Sequence, residues 1–330
     1  MIAAMTGAVA QDGTLPIAGK RGGPLSTRPN MKDSPKYQKA LEIYNKLVDA
    51  RGDARYAVPP FILNDDTSAV AEIIYGVAVN IRLEERAYDV CAAMGDAADD
   101  AIAFLLAHEL THYYERHGWR GGFAKEYKKK KLQIGVQLDT LVDDITNETQ
   151  ADYLGGFLAY SAGYGLFDKG PELIKNLYKA YHKKDQLPGY PSLSDRQALA
   201  KHTAEKLRDL VDVFDMANLL TATGNYADAL LYHRYILNEY QSREIYNNIG
   251  VIEFLVAIKD CAYEKFKYPV ELDLTSSAAG RSGAGSEGAA DSAMLRQALL
   301  HFDAAISLDP GYAPAYLNKA CAYAVLGDFK

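Results

Sequence analysis

The chain has 330 residues, 48% of them hydrophobic and 24% charged, with a formal net charge of −7 and a pI near 5.6. That length can bury a sizeable core without disulfide staples and fits two domains. The acidic balance argues against nucleic acid as the main partner, and no stretch is long and apolar enough to span a membrane.

The first ten residues, Met1 to Ala10, are small and apolar, and Ala8-Val9-Ala10 before Gln11 resembles a signal-peptidase site. No basic segment precedes them, so a signal-peptide remnant and a disordered tail are both open. Residues 11 to 35 are rich in Gly and Pro and read as a linker. Ser34 and Pro35 suit the N-cap and first position of a helix to about Arg51, with Tyr37, Ala40, Leu41, Tyr44, Leu47 and Val48 at helical spacing. Phe61-Ile62-Leu63 reads as a short strand, and Glu72 to Leu83 as one or two more. Helices are expected over the metal motif described below, over a Lys-rich stretch, around Glu148, over 171–183 and over 201–211, with a loop over 161–170. The basic run Lys128 to Lys131 reads as a solvated helix face, with peripheral contact to an anionic membrane as the alternative. Cys91, Cys261 and Cys321 lie far apart and give neither a disulfide framework nor a zinc-finger spacing.

Residues 108 to 112 read His-Glu-Leu-Thr-His, inside a run of good helix formers with no Gly or Pro until Gly118. Positions four apart share a helix face, so His108 and His112 can both reach one metal ion, with Glu109 placed to deprotonate a water there. A catalytic zinc site needs a third protein ligand. Glu148 and Asp152 are again four apart. Glu148 can complete a two-His, one-Glu site for one zinc ion, and Asp152 can hold the free ring nitrogen of a ligand histidine. The bland reading of the same acids is a helix N-terminus. A pattern ending in a third histidine after a Gly does not fit, because Glu115 and Gly118 occupy those places. His117 reads as a C-terminal histidine complementing the helix dipole. His182, His202, His233 and His301 show no ligand spacing.

His-Glu-x-x-His followed by Arg116-His117, then Glu148-x-x-Ala151-Asp152, resembles the HtpX-like and CAAX-prenyl-protease group of gluzincin metallopeptidases. The likeness extends upstream: residues 81–90 look like a substrate-side edge strand with its following turn, and residues 99–107 like the helix entering the metal motif. Downstream, Pro191 to Arg196 is similar to the His-Pro-x-x-x-x-Arg segment of that group, with Tyr190 where the histidine usually stands. The resemblance covers about residues 35 to 210. It implies a zincin-type α+β fold, peptidase activity and a substrate strand held near Ala78 to Arg82 by β-augmentation. Its oxyanion-stabilising group is left open among Tyr190, Arg196 and Tyr113, and the favoured reading of Tyr190 is an ordinary packed tyrosine.

From about Asp212 the pattern becomes all-helical and repetitive. Ala298, Phe302, Ala305 and Pro310, then Tyr316, Ala320 and Tyr323, fit the small and aromatic positions of tetratricopeptide repeats. Ala217, Gly224, Tyr226 and Ala229 match an earlier unit, and Tyr246, Ile249 and Gly250 start another, interrupted by an insertion over 259–291 rich in Gly, Ser and Ala. An ordinary helical bundle is the bland alternative. The chain stops at Lys330 in the turn of a repeat, which leads us to expect a longer protein.

The expected organisation is therefore a leader and linker over 1–35, a zincin-type α+β metallopeptidase domain over 36–211, and an all-α tetratricopeptide solenoid over 212–330. This order is similar to that of periplasmic β-barrel assembly-enhancing proteases, which implies an extracytoplasmic setting; a cytoplasmic one is the alternative. The expected function is zinc-dependent endopeptidase activity on unfolded or partner proteins, with a protein or peptide substrate and a protein partner in the repeat groove. The alternatives are a repeat adaptor or chaperone whose metallopeptidase domain is inactive or occluded, and a zinc hydrolase acting on non-peptide substrates.

Overall fold

The protein is described by a computed structural model over residues 29–65, 69–74, 78–117, 144–165, 168–183, 192–259 and 290–327. The leader to residue 28, the Lys128–Lys131 run, Tyr190 and nearly all of the 259–291 insertion lie outside these described residues. The architecture is mostly helical with a small three-stranded sheet, compatible with an α+β part joined to a helical part. It divides into two compact units, Met1–Ala50 with Val58–Arg208, and Arg51–Ala57 with Asp209–Lys330.

The first unit begins with helix α1, Pro35–Arg51. Pro35 needs no amide partner at this position, and the Ser34 hydroxyl accepts the Lys36 amide at 3.2 Å. Tyr37, Ala40, Ile43, Tyr44 and Leu47 form its buried face, while Leu41 and Val48 are only half-buried. Tyr44 stacks on Phe61 with ring centroids 5.4 Å apart, and its hydroxyl donates to the Pro59 carbonyl at 2.6 Å. A buried phenol is thus satisfied rather than stranded, which would cost about 1–3 kcal/mol.

Phe61 lies on strand β1, Phe61–Asn64; β2 is Ala71–Ile74 and β3 is Asn80–Glu84. The sheet order is β1-β3-β2, with β3 parallel to β1 and antiparallel to β2. Ile81 pairs with Phe61 on one side and Ile73 on the other. This corrects the expectation of a substrate-side edge strand over Ala78 to Arg82: β3 is the central strand, and its backbone groups already serve two neighbours. Among the described residues the edges are β1 and β2. The turn expected after it is helix α2, Glu85–Ala92, capped by the Glu84 carboxylate, which accepts from the Ala87 amide and the Tyr181 hydroxyl. Arg82 and Glu72, directly opposite in register, form an ion pair on the polar face.

A 3-10 turn, Gly95–Ala97, leads into α3, Ala98–Tyr114, which is buried along nearly its whole length. Helix α4, Asp144–Ser161, packs along α3. Gly155 makes this approach possible, because a β-carbon there would lie 2.9 Å from the His108 amide nitrogen and 3.0 Å from the Ala107 carbonyl. Helix α5, Gly170–Ala180, packs on α2. Helix α6, Leu193–Ala222, is one continuous element of 30 residues, where the pattern suggested a helix over 201–211 and a fresh start at 212.

In the second unit the distal half of α6 is followed by α7 (Tyr226–Glu239), α8 (Arg243–Ala257), α9 (Ser292–Leu308) and α10 (Ala313–Leu326). Each of α7, α8 and α9 packs on the next helix, and α8 also meets α10. The core joins Val251 and Phe254 of α8, Leu295, Ala298 and Phe302 of α9, and Cys321 and Ala322 of α10. The missing side chain of Gly250 makes room for Phe302, whose ring a β-carbon would meet at 2.6 Å. Glu253 is fully buried but paired, with Arg234 Nη2 and His301 Nδ1 each 2.8 Å away. Of the positions singled out by spacing, Ala217, Ala229, Ile249, Ala298, Phe302 and Ala305 are buried. Tyr316 and Ala320 are exposed, because α10 turns Ala315, Asn318, Cys321 and Ala322 inward instead. Ala54 donates to the Leu308 carbonyl at 2.9 Å, which ties the 51–57 segment into this unit.

Candidate metal centre

Helix α3 presents His108, Glu109 and His112, and α4 presents Glu148 and Asp152. Four-residue spacing puts His108 and His112, and likewise Glu148 and Asp152, one turn apart on one face. The close packing allowed by Gly155 then sets the two faces against each other. His108 Nε2 lies 3.0 Å from His112 Nε2 and 3.5 Å from Glu148 Oε2, and His112 Nε2 lies 3.4 Å from Glu148 Oε1. The ligand atoms of these three residues are all within 4.8 Å of one another, so the group can hold a metal ion.

The triangle matches a small cation in size. Four-coordinate zinc has bonds of about 2.0–2.2 Å, which set its ligand atoms about 3.3–3.6 Å apart. It also matches in charge. The Asp152 carboxylate accepts a hydrogen bond from His108 Nδ1 at 2.7 Å, so Nε2 of His108 is the nitrogen turned to the centre of the triangle. Burial disfavours a charged His108, yet the hydrogen bond to Asp152 and the nearby Glu148 carboxylate outweigh it and carry its pKa up to about 9. Burial likewise opposes ionisation of Glu148 and Asp152 while their histidine partners favour it, and both pKa values are lowered. Surroundings that stabilise a positive charge at one edge of the triangle suit a cation within it.

Glu109 is 2% exposed, and its Oε1 has no hydrogen-bond partner among the described residues. Burial pushes its pKa up to about 8, with the Glu148 carboxylate adding to the shift and His108 opposing it. For His112, burial is stronger than the pull of Glu148 and the pKa is lowered.

The remaining expectations fare differently. Tyr190 lies outside the described residues. Arg196, at the start of α6, is 1% exposed, and its guanidinium carbon lies 5.6 Å from the centre of the Tyr178 ring. Tyr113 packs edge-on to Tyr114. Neither Arg196 nor Tyr113 belongs to the ligand triangle. His117, expected to complement the helix dipole, is instead buried beside the site. Its Nδ1 is 2.8 Å from His112 Nδ1, and its Nε2 is 3.0 Å from Gln150 Oε1. The helix ends at Tyr114, short of the expected Gly118, and Arg116 takes a left-handed conformation with φ of 58° just before His117. That conformation costs a residue with a β-carbon about 1–2 kcal/mol, and nothing local in Glu115-Arg116-His117 announces it.

Among the described residues, no helix is long and apolar enough to cross a membrane. A scan against family models and a search of curated proteins each found no match, so the grounds for a functional reading are the geometry and chemistry of this centre.

Proposed function

We propose that the chain is a zinc-dependent endopeptidase that hydrolyses peptide bonds of unfolded or partner proteins. The observation that carries this reading is the His108–His112–Glu148 triangle with the buried Glu109 carboxylate beside it. His108, His112 and Glu148 would hold one zinc ion, and Asp152 would orient His108. When bound, zinc supplies Lewis acidity, which polarises a carbonyl and brings the pKa of water toward about 7. Glu109 takes the proton of the attacking water and later passes a proton to the leaving amine. An extended substrate segment would be held by strand addition at the outer edge of β2, an edge strand among the described residues that packs against α3. The helical second unit, read as tetratricopeptide-like, would dock a protein partner.

The decisive experiment couples zinc analysis to casein cleavage for the wild type and Glu109→Gln. The expected wild type carries one zinc per chain and cleaves. Glu109→Gln keeps its zinc and loses at least about 100-fold in rate, the scale of general-base catalysis. Zinc bound by both proteins with cleavage by neither would favour an adaptor with an inactive peptidase domain. A wild type without zinc would remove the basis of the reading.

A further inference from the structure

We infer that His117 is a positioning residue of the metal centre, fixing the ring and tautomer of His112 from the far side of the ring, with Gln150 holding His117 in turn. This inference rests on the reading of His112 as a metal ligand.

Gln150 Oε1 is a carbonyl oxygen and can only accept. At 3.0 Å from it, His117 Nε2 must be the N–H. A neutral imidazole carries one proton, so His117 Nδ1 presents a lone pair. That lone pair is 2.8 Å from His112 Nδ1, which must therefore be the donor. His112 Nε2 then keeps its own lone pair and directs it toward His108 Nε2 and Glu148 Oε1. The two ligand histidines are thus held at Nδ1 by different partners. His108 donates to a carboxylate, Asp152, and His112 donates to a second imidazole.

His117 is 5% exposed, and its ring stands edge-on to that of His112, 82° between planes and 4.8 Å between centroids. The left-handed backbone at Arg116 is what returns His117 to the side of α3 that carries His112. Gln150 comes from α4, the helix that also supplies Glu148 and Asp152. One helix therefore provides a ligand and the terminal support of both histidines. A neutral imidazole is a weaker acceptor than a carboxylate, so His112 gains less basicity than His108 does.

The test is zinc affinity, measured by chelator competition on the full chain for four variants with the wild type. His117→Ala should weaken zinc binding about 10–100-fold, the range for loss of such a partner. His117→Asn places an amide oxygen where Nδ1 stood and should stay within about 3-fold of the wild type. His117→Gln places its amide at the Nε2 position, leaves His112 without an acceptor, and should resemble alanine. Loss of packing alone would not separate asparagine from glutamine in this direction. His108→Ala in the same series tests the underlying reading, because it must abolish tight binding. If His108→Ala binds zinc normally, the metal site itself is wrong. If it loses zinc while His117→Ala stays within about 2-fold of the wild type, or glutamine rescues as well as asparagine, only the role of His117 is overturned. Circular dichroism confirms folding of each variant, and if His117→Ala does not fold, the comparison of asparagine with glutamine decides.

Discussion

Gly155 lies so close to His108 that a β-carbon on it would meet the His108 amide nitrogen at 2.9 Å, a distance between backbone and side chain that neither group can relieve by rotation. The spacing of α3 and α4, and with it the reach of Glu148 to the two histidines, depends on this contact. Gly155→Ala should therefore destabilise the first unit by about 1–3 kcal/mol through overpacking and weaken zinc binding by at least about 10-fold. The neighbouring Gly156→Ala is the control. Its added carbon would meet the end of the flexible Leu207 side chain, which can rotate away, so its cost should be smaller and zinc binding should be kept. Thermal unfolding and a zinc titration of both variants check this.

The ligand assignment predicts a graded series. His108→Ala and Glu148→Ala each remove one of three protein ligands and should leave less than about a tenth of the zinc bound. Asp152→Ala removes only the support of His108 Nδ1 and should weaken binding about 10–100-fold. Metal content after dialysis against a weak chelator gives the ranking. Full occupancy in Glu148→Ala would overturn the choice of third ligand.

The second unit carries its own pH sensitivity at His233. This side chain is fully buried, its Nδ1 has no partner among the described residues, and its Nε2 is 3.3 Å from Thr221 Oγ1. Thr221 gives its own proton to the Ala217 carbonyl, so it can accept from Nε2 while a proton on Nδ1 would go unmet. Burial accordingly pushes the His233 pKa down to about 4. A depressed folded-state value means the unfolded chain binds the proton first, so stability is full above about pH 6.5 and falls as pH drops toward 4. The loss is on the order of 3 kcal/mol at about 1.4 kcal/mol per unit. His233→Leu should flatten the difference in unfolding midpoint between pH 7 and pH 4.5, and an unchanged slope would show that His233 is not its source.

The two units also predict separable activities. Because α6 runs unbroken from Leu193 to Ala222, a truncation at residue 211 would cut a helix in half, and a chain ending at Gly224 is the better test. It should keep zinc and cleave a short unstructured peptide, but lose at least about 10-fold on a protein substrate recruited by the removed helices. Equal loss on both substrates in a folded, zinc-loaded protein would mean that the second unit helps to build the active site.

What was legible in the sequence is what a helix or strand settles within a few residues. The pitch of α3 puts His108 and His112 on one face whatever surrounds them, and the pitch of α4 does the same for Glu148 and Asp152. Ser34-Pro35 starts α1 by local chemistry, and the Phe61 strand follows from its short apolar run. What only the tertiary structure decided depends on residues far apart in the chain. Strand β3 is central because Ile81 finds Phe61 and Ile73 at once, and no property of residues 78 to 82 distinguishes that from an edge. His117 supports His112 because Arg116 turns left-handed and α4 brings Gln150 to meet it. Gly155 matters through the backbone it faces rather than through its place in its own helix. Helical periodicity fixes which side chains share a face; which face meets which is set by packing between distant segments, and the distances within the metal triangle belong to that second kind of information.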